Sequence, residues 1–138
     1  MSGAGRDAGA AAVETVLLVP VLVVMLLFVV FVGRVGTVTQ DVYAASRDAA
    51  RAASLRDGPD AATADARSSA EATLLERGVA CAGLDVQVDT SRFEPGGAVR
   101  VDVACTVSLA DVSRLGVPGS KTVAAHSVSV IDRYRSRP

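Results

Sequence analysis

One histidine, two cysteines and no tryptophan in 138 residues leave little material for a chemical site. His126 with Cys81 and Cys105 cannot fill the ligand set that a structural or catalytic metal needs. The serines Ser68, Ser69, Ser127 and Ser129 have no base at a recognisable spacing, so nucleophilic catalysis has no motif. No glycine-rich loop follows a strand and opens a helix, which leaves nucleotide binding unsupported. A net charge of −1, with three phenylalanines and two tyrosines, is unlike a basic, aromatic-studded nucleic-acid surface. Arg133, Arg135 and Arg137 make a short basic tail that reads as a solvated end. The expectation is a chain with no enzymatic role, no catalytic residue, no metal, no cofactor and no small-molecule substrate.

What the chain does have is one uninterrupted apolar run, Thr15 to Gly33, 19 residues without a charge. As a helix it would be about 28 Å long at about 1.5 Å per residue. That is near the ~30 Å hydrocarbon core of a bilayer, so the run reads as one membrane pass. A second run of that length does not occur. The stub before it, residues 1–14, is rich in glycine and alanine, with Arg6 offset by Asp7 and Glu14 set against the span. A secretory signal peptide wants a positive start and a small-residue cleavage site, and Gly33-Arg34-Val35-Gly36-Thr37 makes a poor one. A domain released by signal peptidase is one reading kept open.

Glu14 sits five positions after Gly9. The spacing Gly9-Ala10-Ala11-Ala12-Val13-Glu14 resembles the type IV prepilin processing site, cut after a glycine with a glutamate fifth in the mature chain. This resemblance implies a scissile Gly9–Ala10 bond and a prepilin peptidase as partner, with residues 1–9 as leader. Glycine permits close approach to the backbone. A carboxylate at poorly solvated membrane depth is costly and would be neutralised by an α-amino group of a neighbouring subunit. The alternative is an interfacial carboxylate favoured by the positive end of the helix dipole.

The wider stretch from Gly9 through the span, then Ser46-Arg47-Asp48-Ala49-Ala50-Arg51-Ala52-Ala53 and Val130-Ile131-Asp132-Arg133-Tyr134, resembles the TadE-like family. These are minor pseudopilins of the tight-adherence, Flp-type pilus machinery. The resemblance implies a small single-pass protein of the cytoplasmic membrane, with its N-terminus in the cytoplasm and its C-terminal domain outside. It also implies partners among pilin-like and pilus-assembly proteins, besides the bilayer itself. The chain departs from the pilin pattern at Thr15, where phenylalanine is common, and at Asp7 and Ala8, which follow Arg6. Charge counting alone favours the opposite orientation, with Arg34, Arg47 and Arg51 after the span against Arg6 before it. A long C-terminal domain translocates with less regard to charge, and the cysteine pair is easier to explain outside.

Pro20 lies within the span, where the freed carbonyl is tolerated if neighbours satisfy it, and a kink is expected there. Beyond Arg34, Val35, Val38, Val42, Ala45, Ala49 and Ala52 recur at threes and fours, an apolar stripe that Arg47, Asp48 and Arg51 avoid. This small-residue face suits close packing on partners or on the chain's own domain. The helix should stop at Asp57-Gly58-Pro59. Asp60 is expected to cap a second helix, Ala61 to Arg77, closed by Gly78, with Ala62, Ala66, Ala70 and Leu74 inward and Leu75 widening the stripe.

From there the period is two. Leu84, Val86 and Val88 alternate with polar residues. After Glu94-Pro95-Gly96-Gly97, the positions Val99, Val101, Val103, Cys105, Val107 and Leu109 share a face. A loop with Gly116, Pro118 and Gly119 leads to a last strand, about Thr122 to Ile131. Hairpin registry would bring Cys81 within a few residues of Cys105. A disulfide there would close a loop of about 25 residues and add roughly 3 kcal/mol, and two buried thiols are the alternative.

The expected architecture is α+β and pilin-like: stub 1–14, transmembrane helix 15–33, amphipathic helical extension 34–56, and domain 57–138 with a second helix and a three-stranded antiparallel sheet. The expected function is assembly of a Flp-type pilus or related secretion apparatus, through packing of the N-terminal helix. A membrane-tethered extracytoplasmic binding module is the alternative.

Overall fold

A computed structural model describes the backbone of residues 4–113 and 116–134, with side chains over 13–111 and 116–134. The chain divides into two compact units, Met1–Arg34 and Val35–Pro138. Helix α1 is Ala4–Ser54, α2 Pro59–Glu76, β1 Gly83–Arg92, β2 Ala98–Ser108, α3 Leu109–Ser113 and β3 Ser120–Val130. Of the sequence expectations, those on the first three residues and on Arg135 and Arg137 lie outside the described residues.

In the second unit the sheet is an antiparallel meander in the order β1-β2-β3. Register runs through Val86↔Val103 and Leu84↔Cys105 on one side of β2, and Cys105↔Val123 and Val101↔Ser127 on the other. Alternation on β2 buries Val99, Val101, Val103, Cys105 and Val107 and leaves the intervening residues half-buried or exposed. That buried face meets Val42, Ala45, Ala49, Ala50 and Ala53 of α1 and Ala62, Ala66, Ala70 and Leu74 of α2 in one core. Alanine at these positions brings the helix backbones close to their neighbours while removing little side-chain entropy.

Several local expectations are corrected. Helix α2 starts at Pro59 with Gly58 as its N-cap, so Asp60 lies in the first turn and is not the cap. Proline supplies the helical φ at the first position and has no N–H to satisfy, which moves the start forward. At the other end Gly78, at φ 70°, donates to the Leu75 carbonyl at 3.0 Å, and Val79 donates to Leu74 at 2.9 Å. These two bonds form a Schellman stop, which needs a left-handed residue at that point. Leu75 is 80% exposed. It stands ~100° around the helix from Leu74 and so leaves the stripe. On α1 the stripe closes on Ala53, fully buried, rather than on Ala52, which is half-buried.

Leu109 does not extend the face of β2 but opens the short helix α3, in the stretch read as loop. The last strand begins at Ser120 and ends at Val130. Ile131 lies beyond it, buried, and donates to the Gly97 carbonyl at 2.9 Å. The β1–β2 hairpin needs glycine at Gly97, where a Cβ would collide with the Arg92 carbonyl.

Candidate functional site

The N-terminal unit presents an apolar surface. From Val13 to Val32 every large apolar side chain except Phe31 is exposed, from 45% at Leu27 to 71% at Val16. Among the described residues one helix is long and apolar enough to cross a membrane, with a mean hydropathy of 3.2 in its apolar stretch. So large a contiguous patch marks a surface made for lipid or other proteins. Glu14 is exposed at the head of this stretch, and the backbone is helical through Gly9 and Ala10, whose side chains are not described. Five helical residues separate Gly9 from Glu14 by about 7.5 Å along the axis. Pro20 lies inside the helix and leaves the Val16 carbonyl without its usual donor.

In the second unit, polar side chains fasten α1 to its neighbours. Ser46 donates to the Tyr43 carbonyl at 2.8 Å and shares a 2.9 Å hydroxyl contact with Ser127 of β3. Ser54 donates to the Arg51 carbonyl at 2.8 Å and accepts from Ser129 at 3.1 Å. Each helix serine thus satisfies its own proton locally and offers its oxygen to the strand. Toward α2, Arg77 pairs with Asp41 at 3.0 Å, and Thr73 donates to Asp48 at 3.2 Å. Arg56, just past the end of α1, pairs with Asp65 of α2.

Cys81 and Cys105 form a disulfide with Cα atoms 5.4 Å apart. It ties the segment after α2 to the central strand, at the position where Leu84 opposes Cys105.

Beside β3 an open groove of about 660 Å³ is lined by Tyr43, Arg47 and Arg51 of α1, by Leu55, and by residues 126–129 of the strand. His126 is exposed and lies opposite Asp102 on the sheet face turned away from the core. On that face the Arg100 guanidinium holds the Asp102 carboxyl below its usual range, chiefly through a 2.9 Å hydrogen bond. Among the described residues no three His, Cys, Asp or Glu side chains gather as a metal set would.

Residues 9–51 match the family model described as TadE-like protein. Over this segment the chain is similar to the TadE-like family. The matched stretch contains Gly9, Glu14, Pro20, Arg47 and Arg51, and it ends three residues before α1 does. The sheet and α2 lie outside the TadE-like stretch, as do Val130–Tyr134. No curated protein and no solved structure matches the chain. Sequence reading placed Arg47 and Arg51 off the apolar stripe but missed the groove they line, because its other wall is a strand some 75 residues away.

Proposed function

We propose that this protein is a membrane-anchored pseudopilin that acts in assembly of a tight-adherence type pilus or a related secretion apparatus. The observation that carries the reading is the coincidence of the TadE-like match with the exposed apolar helix and its Glu14. The helix anchors the protein in the cytoplasmic membrane, with its N-terminus in the cytoplasm and the α+β unit outside. The disulfide supports that side, since such bonds persist in oxidising compartments. Other pilin-like helices pack against the anchor. Lipid gives apolar helices no reason to associate, so packing and a partner for Glu14 supply the drive. Pro20 allows a local bend in that packing.

A prepilin peptidase removes residues 1–9, and the mature chain starts at Ala10 with Glu14 fifth. Intact mass of the protein from its native membrane tests this. A start at Ala10 is expected, and a start beyond residue 33 overturns the anchored reading. Substituting Glu14→Ala separates the pseudopilin from a merely tethered binding module. Assembly is lost in the first, and the change is silent in the second.

A further inference from the structure

The two edges of the sheet are not treated alike. β1 has a register break between Asp89 and Arg92, a device that discourages further pairing. β3 has no such break. Its register with β2 is unbroken from Ala98↔Val130 to Ser108↔Ser120, it contains no proline, and its one lysine, Lys121, stands near its start. Among the described residues no strand pairs with its far side.

Along that edge runs the groove with Arg47 and Arg51. Both are exposed, and neither belongs to the pairs Arg56–Asp65, Arg77–Asp41 and Arg100–Asp102. Asp48, the acid in the groove, already accepts from Thr73. One helical turn apart, the two arginines are spaced about 6 Å. Side chains on one face of an added strand recur at about 6.8 Å, so carboxylates at alternate positions match them. On the opposite face of such a strand lie Val128 and Val130, 58% and 71% exposed.

We propose that the edge of β3 accepts an extended segment of a partner protein as a fourth strand, alternating acidic side chains toward Arg47 and Arg51 with apolar ones beside Val128 and Val130. Backbone pairing supplies the affinity and the side chains the choice of partner. The inference stands whether or not the chain serves a pilus.

The test uses the full-length protein in detergent micelles and a labelled synthetic peptide alternating glutamate with valine. Saturable binding is expected. It should weaken about tenfold or more in an R47E/R51E double variant and with a glutamine-for-glutamate peptide, as two ion pairs are lost or reversed. N-methylation of alternate peptide amides should abolish binding, and amide exchange along β3 should slow when the unmodified peptide binds. Both arginines are exposed, and an unchanged circular dichroism spectrum will show that the variant folds. Absent binding, equal binding to the methylated peptide, or equal binding by the variant overturns the proposal. So does a peptide-free protein whose β3 amides are protected until dilution separates two copies, which would make a second copy the occupant.

Discussion

Between Val13 and Val32, α1 exposes large apolar side chains on all sides. From Val42 to Ala53 the same helix hides Val42, Ala45, Ala49, Ala50 and Ala53 and exposes Arg47 and Arg51. Size changes together with exposure. Valine and leucine dominate where no neighbour in the chain covers the helix, and alanine dominates where α2 and the sheet press against it. A helix with lipid around it has no hydrophobic reason to choose a face. A helix in water must choose one, and close approach to a neighbour then rewards the smallest side chain. One helix, Ala4–Ser54, thus carries two kinds of surface along its length.

The sharpest way to break this contrast is a charge. Leu22→Arg should disfavour insertion by about 3 kcal/mol, releasing much of the protein from membranes on alkaline extraction. Gln40→Arg, at an exposed position just before the second stretch, should leave membrane association unchanged. The reverse asymmetry applies to the disulfide. A Cys81→Ser, Cys105→Ala variant should lose about 3 kcal/mol from the folded second unit, by release of a loop of about 25 residues. Urea unfolding followed by near-ultraviolet circular dichroism would measure it, and the bound fraction should not move.

Size comes next. Ala49→Leu, at a fully buried position, should cost about 1–3 kcal/mol through overpacking. Val23→Leu in the apolar stretch should be close to silent in the same unfolding assay.

The smallest effect concerns pH. Asp102 has its carboxyl held below the reference 3.8 by Arg100, so its contribution is present above that value and fades as pH falls through the lower folded one. An NMR titration of Asp102 should return to the ordinary range in Arg100→Gln, with little change in unfolding because the pair is largely solvated.

Local patterns carried most of the architecture. The apolar run, the period-two block at Val99–Val107 and the breaker Asp57-Gly58-Pro59 each act within a few residues, so they are legible in one dimension. The pairing of Cys81 with Cys105 was also accessible, because the hairpin turn at Glu94–Gly97 fixes registry. The misread start of α2 turned on competition between two starters, Pro59 and Asp60, which lie side by side in the sequence. The serines Ser127 and Ser129 show what local pattern hides. They continue the inward face of Val123 and Ala125, yet their partners Ser46 and Ser54 lie 81 and 75 residues away. The Gly9–Glu14 spacing was visible at once, because it lies within six consecutive residues.

The disulfide would also have a mechanical meaning if the chain were held at one end and engaged at another. Its two cysteines stand 24 positions apart, and the loop between them includes β1 and most of β2. Under tension between the start of α1 and a grip on β3, that covalent loop cannot lengthen. At about 3.3–3.6 Å per extended residue it withholds roughly 80 Å of slack. A load would instead fall on the serine contacts between α1 and β3, which can part and re-form while the hairpin stays intact.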